Sequence, residues 1–547
     1  LIMNHVFSQV PKVKIPRSMF RRNHNLKTTL WTDYLVPIYV DEALPGDTFK
    51  LKQHLFGRLS TPVVPLMDNL YIDTFYFAVP IRLIDDNWQK FMGERPFGDT
   101  TTVYTVPTLT TPSGGVVAES LSDYLGIPIN VGGLEFCSYW HRAYNLIVNS
   151  WFLDENLCEP RPVAGKHYDG TTTTEALSDY VLVKRCKRHD YFTSCLPWPQ
   201  KGDPVSLSLG DTAPVRGDGN ALIFSDGSHD MVFGHGNITA SSSNVSPVLY
   251  GWNRDNIPPQ GSYVPSAISQ SADTGLKAVG LSTSVTSTGL VADLSVANSV
   301  TINQLREAFA IQSLLEVDAR SGTRYIEILR GHFGVISPDA RMQRPEYLGG
   351  SSEPMNVTTV PQTSATSEVS PQGNLSAFVT ARNNMYWSKS FTEHCVILGL
   401  VNIRADLSYQ QGLPRMFSRK TRYDYYWPEL ANLGEQAVLN KEIFAQGTSD
   451  DDDVFGYQER WAEYRYHPNM ITGKFRSTYA QSLDVWHLAQ KFDSLPTLSS
   501  DFIQENVPID RVVAVQDEPP IILDGWFEVN CARPMPLYSV PSLGKRL

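Results

Sequence analysis

Strand-like segments near both ends of the chain constrain its fold more than any other feature. In the N-terminal part, Asp33 to Val40 is followed by a Pro/Gly turn and then by Thr48 to Leu59. Asn69 to Val79 is bounded by Pro65 and Pro80 and alternates large side chains. Runs rich in aromatic and β-branched residues between turn residues are typical of sheet strands. This region therefore predicts a β core.

Strand signals return in the last third of the chain, at His394 to Ile403, Val507 to Gln516 and Ile521 to Asn530. Early strands, inserted helices and loops, and late strands suit a barrel that is closed by pairing of the two chain ends. We therefore expect a mainly β fold.

Three segments between these strands have the pattern of helices: Leu134 to Leu153, Thr301 to Ala319, and Glu429 to Phe444. In the first two, apolar residues recur at near-helical spacing. Thr301 is suited to cap the start of the second segment, and Gly322 follows its end. We expect these helices to be inserts in the β fold.

Residues 201–298 have a different composition from the rest of the chain. They are rich in Gly, Ser, Thr, Asn and Val and carry few charges. Such low complexity indicates either a flexible linker or a β-rich surface excursion. Because the segment is too long for an ordinary loop, we interpret it as a functional insertion.

Charge is distributed unevenly along the chain. The net charge is −11, whereas a protein that wraps nucleic acid on its own is normally basic. The first thirty residues nevertheless carry no acid and contain these cations: Lys12, Lys14, Arg17, Arg21, Arg22 and Lys27. A basic arm on an acidic body predicts one-sided contact with a polyanion. These residues are therefore our candidate nucleic-acid-binding residues, and a solvated tail is the alternative.

The six cysteines are scattered, without a CxxC pair or a secretory signal peptide. We expect reduced, mostly buried thiols in a cytoplasmic product. No apolar run reaches the roughly eighteen residues of a membrane span, and Cys395 to Val401 suits a buried strand. Since the sequence opens with Leu1 instead of Met, we expect that a short leader is missing from this numbering.

Several long segments resemble one known family. They are Leu30 to Leu51, Pro65 to Ile84, Lys187 to Gly202 and Ala405 to Phe444, together with the run RSMF that begins at Arg17. All are similar to the major capsid protein of the Microviridae, in its gokushovirus branch, a group of small icosahedral single-stranded-DNA bacteriophages. The resemblance covers most of the chain except the Gly/Ser/Thr-rich insertion.

This resemblance implies a specific architecture. The fold would be an eight-stranded antiparallel jelly-roll barrel with long inserted loops and a few helices. Pentamers, with sixty copies in all, would build a T = 1 shell around a circular single-stranded DNA genome. The insertions of three neighbours would form a protrusion on each three-fold axis. Composition and periodicity alone give only a β core with a long surface insertion.

The expected division of the chain follows from its composition and periodicity together with the family resemblance. Residues 1–30 form a basic N-terminal arm, 31–200 the first part of the jelly-roll core with a helical insert, 201–298 the surface insertion, and 299–547 the second part of the core with inserted loops and helices. Expected partners are other copies of the chain, packaged single-stranded DNA, a small basic DNA-binding virion protein, and a host bacterial surface receptor contacted by the insertion. We expect no cofactor and no membrane insertion, and a location in the virion after assembly in the bacterial cytoplasm.

Motifs of enzyme chemistry are missing from the sequence. It has no P-loop, GxSxG elbow, HExxH motif or dinucleotide fingerprint. Cys186, His189 and Cys195 offer three zinc ligands, but no fourth is evident, so we expect ordinary packing. Arg188, His189 and Asp190 are adjacent, which argues against a catalytic relay and favours a structural salt bridge. For the acidic run 450–453 we expect a solvated loop rather than a cation site.

An aromatic run, Tyr423 to Trp427, lies close to Arg415, Arg419, Lys420 and Arg422. Basic and aromatic residues together can stack bases and neutralise phosphates of single strands. The same residue types anchor protein contacts, and we favour a protein interface. A carbohydrate-active β-sandwich enzyme, suggested by the many Trp, Tyr and carboxylate residues, is the rival function. A phage receptor-binding module is a third. Sedimentation separates the alternatives, because only a capsid protein forms pentamers or shells.

Overall fold

The structure is a computed structural model. It describes residues 16–94, 103–166, 174–205, 301–336, 343–367 and 371–538, and the backbone of five short strands between residues 215 and 292. The chain forms two compact units. The first comprises Leu1–Gly202 with Leu315–Leu547, and the second comprises Asp203–Leu314.

Ten strands of the first unit's described part form two antiparallel sheets. In chain order they are β1 Ser18–Arg21, β2 His24–Leu30, β3 Val36–Ala43, β4 Thr48–Leu59, β5 Leu70–Pro80, β6 Glu346–Pro354, β7 Asn356–Pro361, β8 Leu375–Ser390, β9 Cys395–Ala405 and β10 Ile521–Arg533. The six-stranded sheet has the order β1-β10-β4-β8-β7, and β2 also pairs with β10. The four-stranded sheet has the order β6-β5-β9-β3. The prediction of a mainly β fold is confirmed.

The two ends of the chain meet in the six-stranded sheet. β10 pairs with β1 and β2 on one side and with β4 on the other, where Ile521 lies opposite Leu59 and Ala532 opposite Thr48. β8 pairs with the other edge of β4 along its length, from Thr380 opposite Arg58 to Ser390 opposite Thr48. The expected pairing of early and late strands is confirmed.

The main core lies between these sheets. Along β4, every second residue from Lys50 to Arg58 is exposed, and the residues between them, including the apolar Phe49, Leu51 and Leu55, point inward and are buried. These three apolar residues share one hydrophobic cluster with Ile72 of β5 and Ile397 of β9. This alternation follows from the two-residue period of a strand with one buried face.

β9 shows no such alternation, because all its residues are buried. One face packs in the main core, and on the other Leu398 and Leu400 join a second cluster with Tyr144 and Ile147. Those two residues belong to helix α1, Tyr139–Ile147. A strand covered on both faces reads as a continuous apolar run, which explains the run at Cys395 to Val401.

The predicted helix at Leu134 to Leu153 is shorter than expected. Glu135–Cys137 is a strand paired with Thr108–Thr110, α1 follows, and Val148–Phe152 forms a π-helical turn. Two other predictions are wrong. Glu429 to Phe444 contains the strand Glu435–Leu439, paired with Val454–Glu459, and only one helical turn, Asn440–Ile443. Val507 to Gln516 contains a 3-10 turn, Ile509–Arg511, instead of a strand.

The predicted helix at Thr301 is confirmed as α2, Ile302–Ser321. Thr301 Oγ1 accepts a hydrogen bond from the Gln304 backbone N–H (3.2 Å), and Gln304 Oε1 accepts one from the Thr301 backbone N–H (2.9 Å). This reciprocal pair is a capping box. Gly322, at φ +101°, ends the helix. α3, Tyr325–Phe333, follows.

The remaining described elements are short. Helical turns lie at Trp88–Phe91, Leu121–Tyr124 and Ser500–Ile503, and Ser408–Tyr409 pairs in parallel with Asn469–Met470. In the second unit, Ile223–Ser225, Asp230–Val232 and Trp252–Asn253 form one antiparallel sheet, and Val215–Gly217 pairs with Leu290–Ala292. Among the described residues, no helix is both long enough and apolar enough to span a bilayer.

Candidate assembly and nucleic-acid surfaces

The candidate nucleic-acid-binding residues of the N-terminal segment are only partly described. Lys12 and Lys14 lie outside the described residues. Arg17 immediately precedes β1, Arg21 ends it, Arg22 follows, and Lys27 lies in β2. The described half of the predicted arm is therefore held against β10 by backbone hydrogen bonds.

Intramolecular partners engage most of these described cations. Arg22 Nη1 lies 2.7 Å from the buried Asp41 carboxylate, and Lys27 Nζ lies 3.0 Å from Asp524. Arg17 donates to Thr48 Oγ1 (2.7 Å). Arg21 is exposed, and its guanidinium has no hydrogen bond or ion pair with another described residue. Of these four cations, Arg17 and Arg21 have no carboxylate partner among the described residues, and the Arg21 guanidinium has no hydrogen bond either.

A basic face that the sequence analysis missed lies on the outer side of the six-stranded sheet. The exposed residues of β4 are Lys50, Lys52, His54, Phe56 and Arg58. Arg382 projects from the same side of β8, because it pairs with Phe56 in the sheet. The lysine and arginine side chains of this face in β4 and β8 make no hydrogen bond or ion pair with another described residue. We call this surface the outer sheet face.

Aromatic side chains are interleaved with those cations. Trp526 of β10 lies opposite His54, and Tyr386 of β8 lies opposite Lys52. Trp526 is 44% exposed and Tyr386 is 57% exposed. The signal was present in the sequence, since β4 reads basic or aromatic at every second position from Lys50 to Arg58.

The aromatic run Tyr423 to Trp427 is also at the surface, and each of its four aromatic side chains is about half exposed. Arginine side chains lie over the rings, with Arg422 Cζ 4.9 Å from the centre of Tyr423 and Arg419 Cζ 4.4 Å from that of Tyr464. Trp427 Nε1 donates to the Arg422 carbonyl (2.9 Å). We call Arg415 to Trp427, with Tyr464, the aromatic–arginine surface.

Carboxylates neutralise two cations of the aromatic–arginine surface. Arg415 Nη1 lies 2.8 Å from buried Glu442, and Arg419 Nη2 lies 3.6 Å from Glu463. Arginines held in this way are poor phosphate ligands but retain their flat, apolar faces for packing. This geometry favours protein contact over DNA contact.

Asp33, Lys187 and Glu505 form a buried charge cluster. Lys187 Nζ donates to the Phe502 carbonyl (2.5 Å) and to Gln490 Oε1 (2.9 Å). Burial lowers the pKa of Lys187 to about 8. Burial, with a smaller contribution from Asp33, raises the pKa of Glu505 to about 7. Burial likewise raises the pKa of Asp33 to about 6. A cavity of about 20 Å³, enough for one water, borders Lys187 and Glu505, and Lys187 also lines a cavity of about 960 Å³.

Cys186, Cys195 and Asp190, considered as zinc ligands or relay members but expected to be structural, make contacts within the chain. Cys186 Sγ lies 3.9 Å from Cys158 Sγ, whereas Cys195 Sγ contacts the Tyr191 carbonyl (3.4 Å). Asp190 accepts hydrogen bonds from the Phe192 and Thr193 backbone N–H groups and from Tyr409. The expected salt bridge of Asp190 is not formed with any described residue, because these turn contacts occupy its carboxylate.

Within the described part of the chain, no cluster of His, Cys, Asp and Glu could hold a metal ion. In the acidic run, Asp452 forms an ion pair with Lys441, and Asp451 accepts hydrogen bonds from the Gln446 and Gly447 backbone N–H groups. All six cysteines are free thiols, four of them buried. These carboxylates and thiols are thus engaged in the chain's own packing.

Comparison with known proteins decides the family. The model of the family described as "Capsid protein (F protein)" matches residues 8–543. The chain belongs to this capsid protein family. It is 46% identical to the "Capsid protein VP1" of Bdellovibrio phage phiMH2K over 551 residues, covering 98% of this chain and 97% of the relative.

Two further VP1 capsid proteins match over nearly their whole length. That of Chlamydia phage 1 is 45% identical, covering 99% of this chain and 98% of the relative. That of Spiroplasma virus 4 is 38% identical, covering 98% and 97%. The predicted resemblance to gokushovirus capsid proteins is confirmed. The chain is therefore a structural capsid protein, a component of the virion, and not an enzyme.

Proposed function

We propose that this capsid protein assembles as pentamers into a T = 1 shell of sixty copies around a circular single-stranded DNA genome. In this proposal, the two facing antiparallel sheets contain the eight strands of a jelly roll, and residues 31–200 and 299–547 together form its core. Full-length similarity to three VP1 capsid proteins supports the proposal.

The aromatic–arginine surface supports the proposal that copies of the chain assemble with one another. Four aromatic side chains, half exposed, present on the order of 400 Å² when each large aromatic can bury about 200 Å². A patch of this size is comparable with the largest apolar patch on a typical monomeric protein, and such patches are often functional. Because Arg415 and Arg419 are already neutralised by carboxylates, we propose that a neighbouring copy of the chain covers this surface.

Assembly variants test this assignment. We expect Tyr425→Ala combined with Trp427→Ala to weaken shell formation strongly, because aromatic anchors at interfaces contribute about 2 kcal/mol or more each. Tyr325→Ala is the matched control, since Tyr325 is also exposed but lies in α3, outside this surface. Analytical ultracentrifugation measures the fraction of chains in shells. If the wild type, the double variant and Tyr325→Ala formed shells equally well, this surface would not be an assembly contact.

We propose that Lys12, Lys14, Arg17, Arg21, Arg22 and Lys27 face the packaged DNA. Six cations per chain cannot neutralise a genome with on the order of thousands of phosphates. A small basic virion protein would therefore share the task. Since Arg22 and Lys27 are paired within the chain, Arg17 and Arg21 are the described residues that suit this role best. Packaging by an Arg17→Gln, Arg21→Gln variant, compared with the wild type, tests this assignment.

We propose that the insertion 201–298 forms a trimeric protrusion that contacts a receptor on the bacterial surface. Large apolar residues of the adjoining helix support contact between copies, because Ile302, Phe309 and Leu314 are exposed in the single chain. Exchange of residues 206–298 with those of a relative should change adsorption while the shell still forms. Unchanged adsorption would contradict the receptor role, and a particle map with the insertion inside the shell would contradict both roles.

A further inference from the structure

We propose that the outer sheet face binds single-stranded DNA, with the cations of β4 and β8 on its phosphates and Trp526, Tyr386 and Phe56 stacked on its bases. This inference rests on the proposed function, because it assigns a specific site to the packaged genome. It concerns residues outside the N-terminal segment for which the sequence predicted DNA contact.

The spacing of the cations suits a chain of phosphates. Lys50, Lys52 and Arg58 project from one side of a single strand. Alternate residues of an antiparallel strand lie roughly 6.8 Å apart, a repeat comparable with that of phosphates along an extended single strand. Arg382 extends the row onto β8. Regular β hydrogen bonds to both neighbouring strands hold this row rigid, so little order must be gained on binding.

Rings lie beside these cations across the sheet. Tyr386 is opposite Lys52 on β8, and Trp526 is opposite His54 on β10, so the two rings flank β4 on its two sides. Phe56, next along the strand, is 46% exposed. Sequence-tolerant binders of single strands combine a basic surface with aromatic rings on which successive bases stack. A duplex keeps its bases paired and cannot use such rings, so the face should prefer a single strand.

Charge identifies a polyanion as the occupant. The face and its edge carry six exposed basic residues: Arg21, Lys27, Lys50, Lys52, Arg58 and Arg382. They carry two acids, Asp524 and Glu528, and Asp524 is paired with Lys27. The whole chain carries −11. In contrast to Arg415 and Arg419, the cations Lys50, Lys52, Arg58 and Arg382 have no carboxylate partner among the described residues. Unpaired cations on an acidic protein attract phosphates strongly.

The proposed contacts between cations and phosphates can be tested with the unassembled full-length protein. The probe is oligo(dT) of about 20 nucleotides, which is longer than a typical single-strand site. In fluorescence anisotropy at several salt concentrations, Lys50→Gln with Lys52→Gln should weaken binding. Each phosphate contact contributes roughly 0.7 to the slope of log affinity against log salt, so the slope should fall by about 1.4. Lys474→Gln with Lys491→Gln removes equal charge from exposed sites elsewhere and should leave the slope unchanged. Lys50→Arg with Lys52→Arg should restore it.

The proposed stacking of bases on the aromatic rings is tested separately, with variants that remove a ring but no charge. Trp526→Ala or Tyr386→Ala should weaken oligo(dT) binding roughly 5- to 150-fold while leaving the salt slope and duplex binding nearly unchanged. Tyr325→Ala is the matched control. Because all these side chains are exposed, circular dichroism and thermal unfolding should match the wild type, which separates loss of binding from loss of fold.

Photocrosslinking with bromodeoxyuridine-substituted DNA locates the contact. Crosslinks to Trp526 or Tyr386 are expected. Crosslinks confined to the N-terminal segment or to the aromatic–arginine surface would overturn this inference but leave DNA packaging in place. If no part of the chain bound single-stranded DNA, both this inference and the proposed packaging of DNA would be wrong. If the Lys50/Lys52 variant bound DNA normally but lost shell formation, the face would be a protein interface and the inference would be wrong.

Discussion

Glu505 gives the protein a specific dependence of stability on pH. Its side chain is buried near Asp33 and Lys187, and its residue is only 2% exposed. Burial, assisted by Asp33, raises the pKa of its carboxyl from 4.5 to about 7 in the folded state. A folded pKa above the unfolded pKa means that the folded state binds the proton more tightly. The contribution to stability is therefore complete below pH 4.5 and is lost as pH rises through about 7.

The magnitude follows from the size of that shift. A difference of 2.5 pKa units, at 1.36 kcal/mol per unit, corresponds to about 3 kcal/mol. Glu505→Gln cannot ionise, so the variant should gain about 3 kcal/mol relative to the wild type between pH 4.5 and a pH above 7. Groups that do not interact with Glu505 cancel when the two proteins are compared at each pH, whereas Asp33 and Lys187 interact with it and contribute to the difference.

Urea unfolding of the unassembled full-length protein across this pH range measures the effect. Glu518→Gln, a change at an exposed glutamate, is the matched control and should follow the wild type at every pH. A stability difference between wild type and Glu505→Gln that stays constant from below pH 4.5 to above pH 7 would refute the reasoning. It would mean that the folded carboxyl titrates like an exposed one.

Two further predictions concern the core. Leu398→Ala removes a fully buried side chain from β9 and should lower the free energy of unfolding by about 2–5 kcal/mol, whereas Ile522→Ala at an exposed site of β10 should change it by less than about 0.5 kcal/mol in the same urea titrations. Asp73→Asn removes the carboxylate that lies 2.7 Å from Arg185 and 2.8 Å from Arg404, leaves Arg404 with only Asp406 at 3.8 Å among the described carboxylates, and should cost about 3–5 kcal/mol. Lys27→Gln breaks an exposed pair and should cost at most about 1 kcal/mol. If Leu398→Ala cost no more than Ile522→Ala, Leu398 would not be packed in the core. If Asp73→Asn cost no more than Lys27→Gln, the ion pairs of Asp73 would not be buried.

The elements that the sequence predicted correctly have local signals. β4 was predicted at Thr48 to Leu59 and occurs there, because one face is buried and the two-residue period is unbroken. α2 was predicted from its cap and its terminal glycine: Thr301 makes the expected capping hydrogen bond, and Gly322 has the positive φ that suits a glycine after a helix. The pairing of chain ends followed from the order of strand signals alone.

The errors arose where tertiary packing overrides local preference. Glu435–Leu439 contains good helix formers, but Val438 is buried with Phe455 of the paired strand in a separate cluster. At Val507 to Gln516, Val512 and Val513 do enter the main core, but from a 3-10 turn that follows Pro508. β6 and β7 were missed because β6 contains two glycines and both strands end in proline. Both lie at sheet edges, where such residues are tolerated.

The candidate surfaces were only partly predictable. A basic N-terminal segment is visible in composition, but the partners Asp41 and Asp524 are distant in sequence and could not be foreseen. The outer sheet face combines β4, β8 and β10, which are each separated by more than a hundred residues and meet only through strand register. The carboxylates that neutralise Arg415 and Arg419 come from other segments as well.

A map of the assembled particle would show directly whether this chain builds a closed shell. We expect sixty copies with T = 1 symmetry, with the aromatic–arginine surface covered by a neighbouring copy. Burial per chain should far exceed the roughly 1,600 Å² of a standard pairwise interface. Particles with another copy number, or contacts that are small and leave Tyr423 to Trp427 exposed, would contradict it.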